Sequence, residues 1–121
     1  MLQLCSVVDV LDNSGVRKVK VFHVKGNRSF GKVGDIFLGS VLKSHSRSKY
    51  KKGDIVRGLF LKTSYRSKFS NNSKSLKFLK NSCILVSSSN EPLGSRITGS
   101  FCYTLKKTGF TKVLSLINKT V

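Results

Sequence analysis

Short apolar runs alternate with polar residues along most of this chain, and glycine and asparagine punctuate them. Leu2 and Leu4, then Val8 and Val10, alternate as in a half-buried strand with a shift between the two pairs. Asp12-Asn13-Ser14-Gly15 predicts a turn, because Asn tolerates and Gly prefers positive φ. Arg17 to Val24 reads as the next strand, with Val19 and Val21 on one face and Lys18 and Lys20 on the other. Gly26-Asn27 ends it, and Gly31, Gly34 and Asp35 mark a further turn. Ile36 to Leu42 predicts a third strand, and Ile55 to Lys62 a fourth after the Lys52-Gly53-Asp54 turn. Cys83 to Val86 predicts a fifth, with a short sixth at Ile97-Thr98-Gly99. Gly39, inside the third strand, predicts a bulge or sharp bend of the kind a small barrel needs at its corners. Five or so short strands of this kind predict a small closed barrel or a sandwich.

The period changes at the C-terminal end. Phe110, Val113, Leu114 and Ile117 stand at i, i+3, i+4 and i+7, one face of an amphipathic helix. Lys112, Ser115 and Asn118 fall on the other face. The apolar stripe is expected to meet a protein neighbour. No repeat or linker divides the chain, so one β-rich domain over 1–121 is expected, with a barrel over about 1–104 and a helical tail over about 105–121.

Charge changes the picture more than hydropathy does. Lys and Arg number 23 and Asp and Glu only 5, a net charge of +18 on 121 residues. At 39% hydrophobic residues the chain can build a core, yet so much like charge favours an anionic partner close by. The cations gather in two stretches. One runs Lys43-Ser44-His45-Ser46-Arg47-Ser48-Lys49-Tyr50-Lys51-Lys52; the other runs from Lys62 through Tyr65, Arg66, Lys68 and Lys74 to Lys77 and Lys80, with Phe69 and Phe78 interleaved. Neither contains an acid, whereas an ordinary solvated surface mixes both signs, so the pair points to phosphate binding. Zinc-finger spacing, basic-zipper heptads and aromatic RNA-binding signatures do not occur, which favours recognition of a shaped RNA backbone.

Other functions find little support. No apolar run approaches the roughly 18 residues of a membrane span, and no membrane partner is expected. A membrane-active cationic protein would need a long amphipathic basic helix, and the only helical pattern is short. The opening residues carry no basic leader, so the chain is expected to work where it is made, unless a presequence is missing from this sequence. Cys5, Cys83 and Cys102 are odd in number and widely spaced, which argues against a disulfide framework or a zinc site and for a reducing compartment. Cys83 opens an apolar strand and reads as a small core residue. Of the carboxylates Asp9, Asp12, Asp35, Asp54 and Glu91, four lie beside or near a turn glycine or proline, where they cap backbone N–H groups. His23 reads as a strand residue and His45 as an RNA contact; neither has an acid and nucleophile beside it. No enzyme, metal or cofactor is expected.

Five blocks then fall into a familiar order. They are Asp12-Asn13-Ser14-Gly15-Val16-Arg17-Lys18-Val19, Gly31-Lys32-Val33-Gly34-Asp35-Ile36 and Lys51-Lys52-Gly53-Asp54-Ile55-Val56-Arg57-Gly58. Asn90-Glu91-Pro92-Leu93-Gly94-Ser95-Arg96-Ile97-Thr98-Gly99 and Phe110-Thr111-Lys112-Val113-Leu114-Ser115-Leu116 complete the set. In that order and spacing the chain resembles the ribosomal protein L-fourteen family of the large subunit. The resemblance implies a mainly β fold: a small five-stranded β-barrel with a protruding basic β-ribbon and a short C-terminal helical segment.

It also implies a structural constituent of the large ribosomal subunit. Such a protein binds large-subunit rRNA, meets small-subunit rRNA at an intersubunit bridge, and touches neighbouring large-subunit ribosomal proteins. The candidate rRNA-binding residues are Arg17, Lys18, Lys43, Arg47, Lys49, Lys51, Lys52, Lys62, Arg66, Lys68, Lys74 and Lys77. In bacteria and mitochondria the family also docks a ribosome-silencing factor. Its Gly-Thr-Arg segment is matched by Gly94-Ser95-Arg96, so Ser95, Arg96 and Lys112 are the candidate protein-partner residues. The family's Asp-Gly turn at the ribbon tip is replaced by Asn72-Ser73, and its Gly-Pro by Gly99-Ser100. The chain has no alanine and abundant Lys, Ser, Phe and Asn, which suggests AT-rich coding and a mitochondrial ribosome, with a plastid or bacterial cytoplasm as the alternative. The rival function is a non-ribosomal RNA-binding translation or RNA-maturation factor on a similar barrel.

Overall fold

Valines placed at 16, 19, 21 and 24 set the wall of the molecule. In the computed structural model, which describes residues 2–26, 30–64, 67–68, 75–76, 78–99 and 109–117, all four are buried on the strand β3 (Val16–Val24). Arg17, Lys18, Lys20, Phe22 and His23 face out between them. The inward spacing is three, two, three instead of a steady two because the register with its neighbour shifts at Val16/Lys18, Lys18/Val19 and Val21/His23. Such irregularities bend a strand and increase its twist, which is how so small a sheet curls shut.

Chain order supplies the rest. β1 (Leu2–Gln3) pairs with β4 (Phe30–Gly31) in a separate two-stranded sheet. β2 (Val7–Val10), β3, β5 (Ile36–Ser44), β6 (Ile55–Lys62) and β9 (Ser82–Leu85) form the closed five-stranded barrel. Its pairs are antiparallel except the closing one, where β2 and β9 run parallel. The shift expected between Leu4 and Val8 is the gap between β1 and β2, where Cys5 takes a φ of 68°. β7 (Ser67–Lys68) and β8 (Ser75–Leu76) pair as a short antiparallel ribbon within the second basic stretch. The tip at Asn72-Ser73 lies outside the described residues, as do Cys102 and Ser100.

The bend expected at Gly39 and the sixth strand expected at Ile97 have different outcomes. A bulge does fall at Gly39, but the extra residue is on the neighbouring strand: Val21 pairs with Gly39 and His23 with Leu38, leaving Phe22 of β3 over, while the β5–β6 register runs unbroken through Gly39 opposite Val56. A Cβ there would run into Val19 and come within 2.8 Å of the Lys20 carbonyl oxygen, so glycine permits close approach of β3. Ile97-Thr98-Gly99 forms no sixth strand; Ile97 makes one isolated bridge with Asp12, reinforced by Thr98 N–H donating to Leu11 O at 3.3 Å.

Two apolar clusters lie on opposite sides of the wall. Inside the barrel, Val8, Val19, Val21, Val41, Cys83 and Leu85 surround Phe37 and Phe60, whose rings stack with centroids 4.4 Å apart. Outside, Leu59, Leu61, Ile84 and Val86 join Ile97 and Val113, with Phe110, Leu114 and Ile117 packed on them. α1 (Thr111–Leu116) thus covers the outer face of β6 and β9, and both strands are buried on two sides. That is why they read as near-continuous apolar runs. The apolar stripe of the helix belongs to this second core, not to a protein neighbour; Val113 is only 1% exposed.

Candidate nucleic-acid interface

The first basic stretch is the connection from β5 to β6, and local hydrogen bonds fix its shape. Asp54 accepts from Lys51 N–H at 2.8 Å, and Gly53 turns with a φ of 92°. Ser48 Oγ accepts from Tyr50 N–H at 3.2 Å, while the Tyr50 side chain packs against the barrel core. His45 N–H donates to Gly15 O at 2.8 Å, and a Cβ on Gly15 would meet Ser48 Oγ at 2.7 Å. The Asn13–Gly15 turn and the loop therefore pack directly together. Lys43, Arg47, Lys49, Lys51 and Lys52 remain exposed on this frame.

Arg17 and Lys18 join the same surface from β3. Arg17 Nη2 lies 2.8 Å from His45 Nε2. Lys18 is the register partner of Lys43 on one side and of Asp9 on the other. Like charges directly opposite on adjacent strands repel, and an anion between them relieves that repulsion. Seven of the twelve sequence-predicted rRNA-binding residues thus come together at one end of the barrel.

The second stretch is separate. Lys62 ends β6, its ammonium 5.5 Å from the centre of the Phe78 ring; a Cβ on Gly99 would come within 2.8 Å of that nitrogen. Ser64 N–H donates to Asn81 Oδ1 at 2.7 Å, and Phe78 N–H to Thr63 O at 3.2 Å, closing the base of the ribbon. Lys68 is on β7, while Arg66, Lys74 and Lys77 lie outside the described residues.

A third surface holds the partner candidates. Asn13 clamps the segment after Gly94: its Oδ1 accepts from Ser95 N–H at 2.8 Å and Arg96 N–H at 3.3 Å, and its Nδ2 donates to Ser95 Oγ at 2.8 Å. A side chain at Gly94 would collide with Asn13 and Asp12. Arg96 itself is exposed. Lys112, on the solvent face of α1, pairs with Glu91. Ile97 and Val113 share the outer core, which brings the 94–97 segment and α1 onto one side of the barrel. Asn13 was legible from the sequence only as a turn residue; its clamp spans 82 positions, a pairing no local pattern signals.

The acids behave structurally. Asp12 Oδ1 accepts from Ser14 N–H at 3.1 Å, and Oδ2 from Leu85 N–H at 3.0 Å; Asp35 accepts from Lys32 N–H at 2.9 Å. The bonds from Ser14 and Lys32 are turn caps that match expectation, as does the one Asp54 accepts from Lys51, whereas the Leu85 bond spans 73 positions. Glu91 is the exception, since its carboxylate serves Lys112. Burial, with Asp12 and Asp9 nearby, pushes the Cys83 thiol well above its ordinary value of 9.0. Among the described residues no cluster of His, Cys, Asp and Glu could hold a metal ion, and no helix is long and apolar enough to cross a membrane.

A comparison with known families decides what such a barrel is. The family model described as ribosomal protein L14p/L23e matches residues 1–121, the whole chain. The chain belongs to this family. As a member of the L14p/L23e family it is a structural constituent of the large ribosomal subunit, located on the ribosome and associated with its RNA and proteins. The five-stranded barrel and C-terminal helix expected from the resemblance are both present.

Proposed function

We propose that this ribosomal protein binds large-subunit rRNA through the exposed cations of the 43–52 loop together with Arg17 and Lys18. The observation that carries this reading is the packing of that loop against the Asn13–Gly15 turn, which gathers the backbone of seven cationic residues at one end of a closed barrel. Phosphates brought close in folded RNA repel one another, and cations held on a pre-ordered backbone offset that repulsion at the cost of side-chain ordering alone. Lys62, Arg66, Lys68, Lys74 and Lys77 form the second contact. Ser95, Arg96 and Lys112 make the protein-partner face, for a neighbouring ribosomal protein or a ribosome-silencing factor, and the intersubunit bridge to small-subunit rRNA belongs to the same reading. The alanine-free, Lys- and Ser-rich composition favours a mitochondrial ribosome.

The experiment is recovery of the chain with purified large subunits after a wash at about 0.5 M salt, where loosely held cationic proteins are screened off. Retention of the wild-type chain and loss of a variant with Arg47, Lys49, Lys51 and Lys52 changed to Gln is the expected result. Release of the wild-type chain overturns the proposal and favours a factor that cycles on and off the ribosome.

A further inference from the structure

His23, Leu38 and Arg57 stand side by side on the outer wall of the barrel. His23 is the register partner of Leu38 across β3 and β5, and Leu38 is the partner of Arg57 across β5 and β6. Phe37, Val56 and Gly58 beside Leu38 and Arg57 are buried on the inner side, and His23 is exposed next to buried Val24, so these three point outward. None of them belongs to either basic stretch. At the ladder spacing of about 4.8 Å, the row extends about 10 Å from imidazole to guanidinium, with half-buried Leu38 between. Beside the row is a hollow of about 260 Å³ lined by His23, Lys25, Ile36, Phe37, Leu38 and Arg57, with no acidic residue among them.

The guanidinium is held in one place. Arg57 Nη2 donates to Asn90 Oδ1 at 2.9 Å and Nη1 to Ser88 O at 3.4 Å, and Asn90 sits at a φ of 64°. Its Nε–H is buried, with no acceptor among the described residues.

We infer that this hollow takes one unpaired RNA nucleotide, its base lying on Leu38 between the planar His23 and Arg57 groups and its phosphate meeting Lys25 beside the Arg57 charge. Bases splayed from single strands stack on imidazole and guanidinium planes, while cations beside them take the phosphate. A carboxylate would satisfy Arg57 and Lys25 but leave the Leu38 surface uncovered. The hollow is smaller than the pockets of about 300 Å³ and above that hold drug-sized ligands, which suits a single base. Leu38 stands about 20 Å along β5 from Ser44, so a nucleotide here is not the one held by the 43–52 loop. The identity of the polymer rests on the rRNA reading above; the site rests on the row itself.

The test measures binding of a fluorescent single-stranded oligoadenylate and of a blunt RNA duplex of equal length to the purified full chain. The variant H23Q/L38T keeps Arg57 and its anchors and leaves the net charge unchanged. Weaker single-strand binding, by about five- to a hundredfold as expected for one stacked base, with duplex affinity unchanged, supports the site. R57Q adds a fall of about 0.7 in the single-strand salt slope. Equal losses on both RNAs, no loss on either, or displacement of the oligonucleotide from the row by an acidic peptide overturns it. A wild-type chain that binds neither RNA overturns the rRNA reading instead. Unchanged thermal unfolding of H23Q/L38T separates a lost contact from a lost fold.

Discussion

Arg17 Nη2 and His45 Nε2 approach to 2.8 Å, joining the start of β3 to the basic loop across 28 positions of sequence. Arginine can only donate, so Nε2 accepts and the imidazole proton is on Nδ1. The loop's cations are thereby referenced to the barrel. Replacing His45 by Leu should loosen the loop, read as faster amide exchange over residues 45–50, whereas His45→Gln should preserve protection because its carbonyl can still accept. Equal protection in both variants would show that the bond does not hold the loop.

The glutamine variant of Arg47, Lys49, Lys51 and Lys52 removes four cations without touching the Asp54 cap or the Tyr50 anchor. If each meets a phosphate, the log–log salt dependence of rRNA binding should flatten by about three units. Thermal stability should hold or rise, since like charges are removed from a +18 chain. Titration of an rRNA fragment at several salt concentrations checks both the slope and the affinity.

The stacked pair Phe37 and Phe60 leaves no room beside it. A Cβ on Gly31 would strike the Phe60 ring, and one on Gly58 the Phe37 ring. Gly31→Ala and Gly58→Ala should each cost about 1–3 kcal/mol through overpacking, seen as a lower denaturant midpoint. An unchanged midpoint for both would mean the rings can move aside.

Cys83 links stability to alkaline pH. Its thiol is pushed above 9.0 first by burial and then by Asp12 and Asp9, so the unfolded chain releases this proton at lower pH than the folded one does. The stabilisation is complete below the unfolded value and declines as pH rises past 9.0 toward the folded value. Cys83→Val should reduce that decline in chemical denaturation run from neutral to alkaline pH. Exposed Cys5 should react quickly with a thiol reagent while Cys83 waits for unfolding.

The Lys112–Glu91 pair is 65% and 49% exposed, so it contributes little to stability. Lys112→Gln should change the free energy of unfolding by less than about 1 kcal/mol. Any loss of partner docking in this variant, or in Arg96→Gln, then reports recognition and not folding. Co-sedimentation of a partner with variant large subunits makes the measurement; failure of Arg96→Gln to enter the subunit would make Arg96 an assembly residue.

Local chemistry made much of this legible. Ile55–Lys62 was bounded to the residue because Gly53 and Asp54 build the turn before it and apolar residues fill it. The turn role of Asp12, Asp35 and Asp54 followed from their neighbours, since a carboxylate two or three residues from an N–H needs no tertiary help to find it. The same reasoning failed for Glu91, whose partner Lys112 is 21 residues away.

The amino-acid order alone determined the five barrel strands, the terminal helical stripe and the two acid-free basic stretches, because these depend on neighbours within one turn or one pleat. Only tertiary structure decided what those surfaces face. The helix stripe covers β6 and β9, Asn13 grips Ser95 and Arg96, and register shifts in β3 bring His23, Leu38 and Arg57 into one row. Each of these depends on which strands lie side by side and in what register, and barrel closure sets that collectively, where no single segment can.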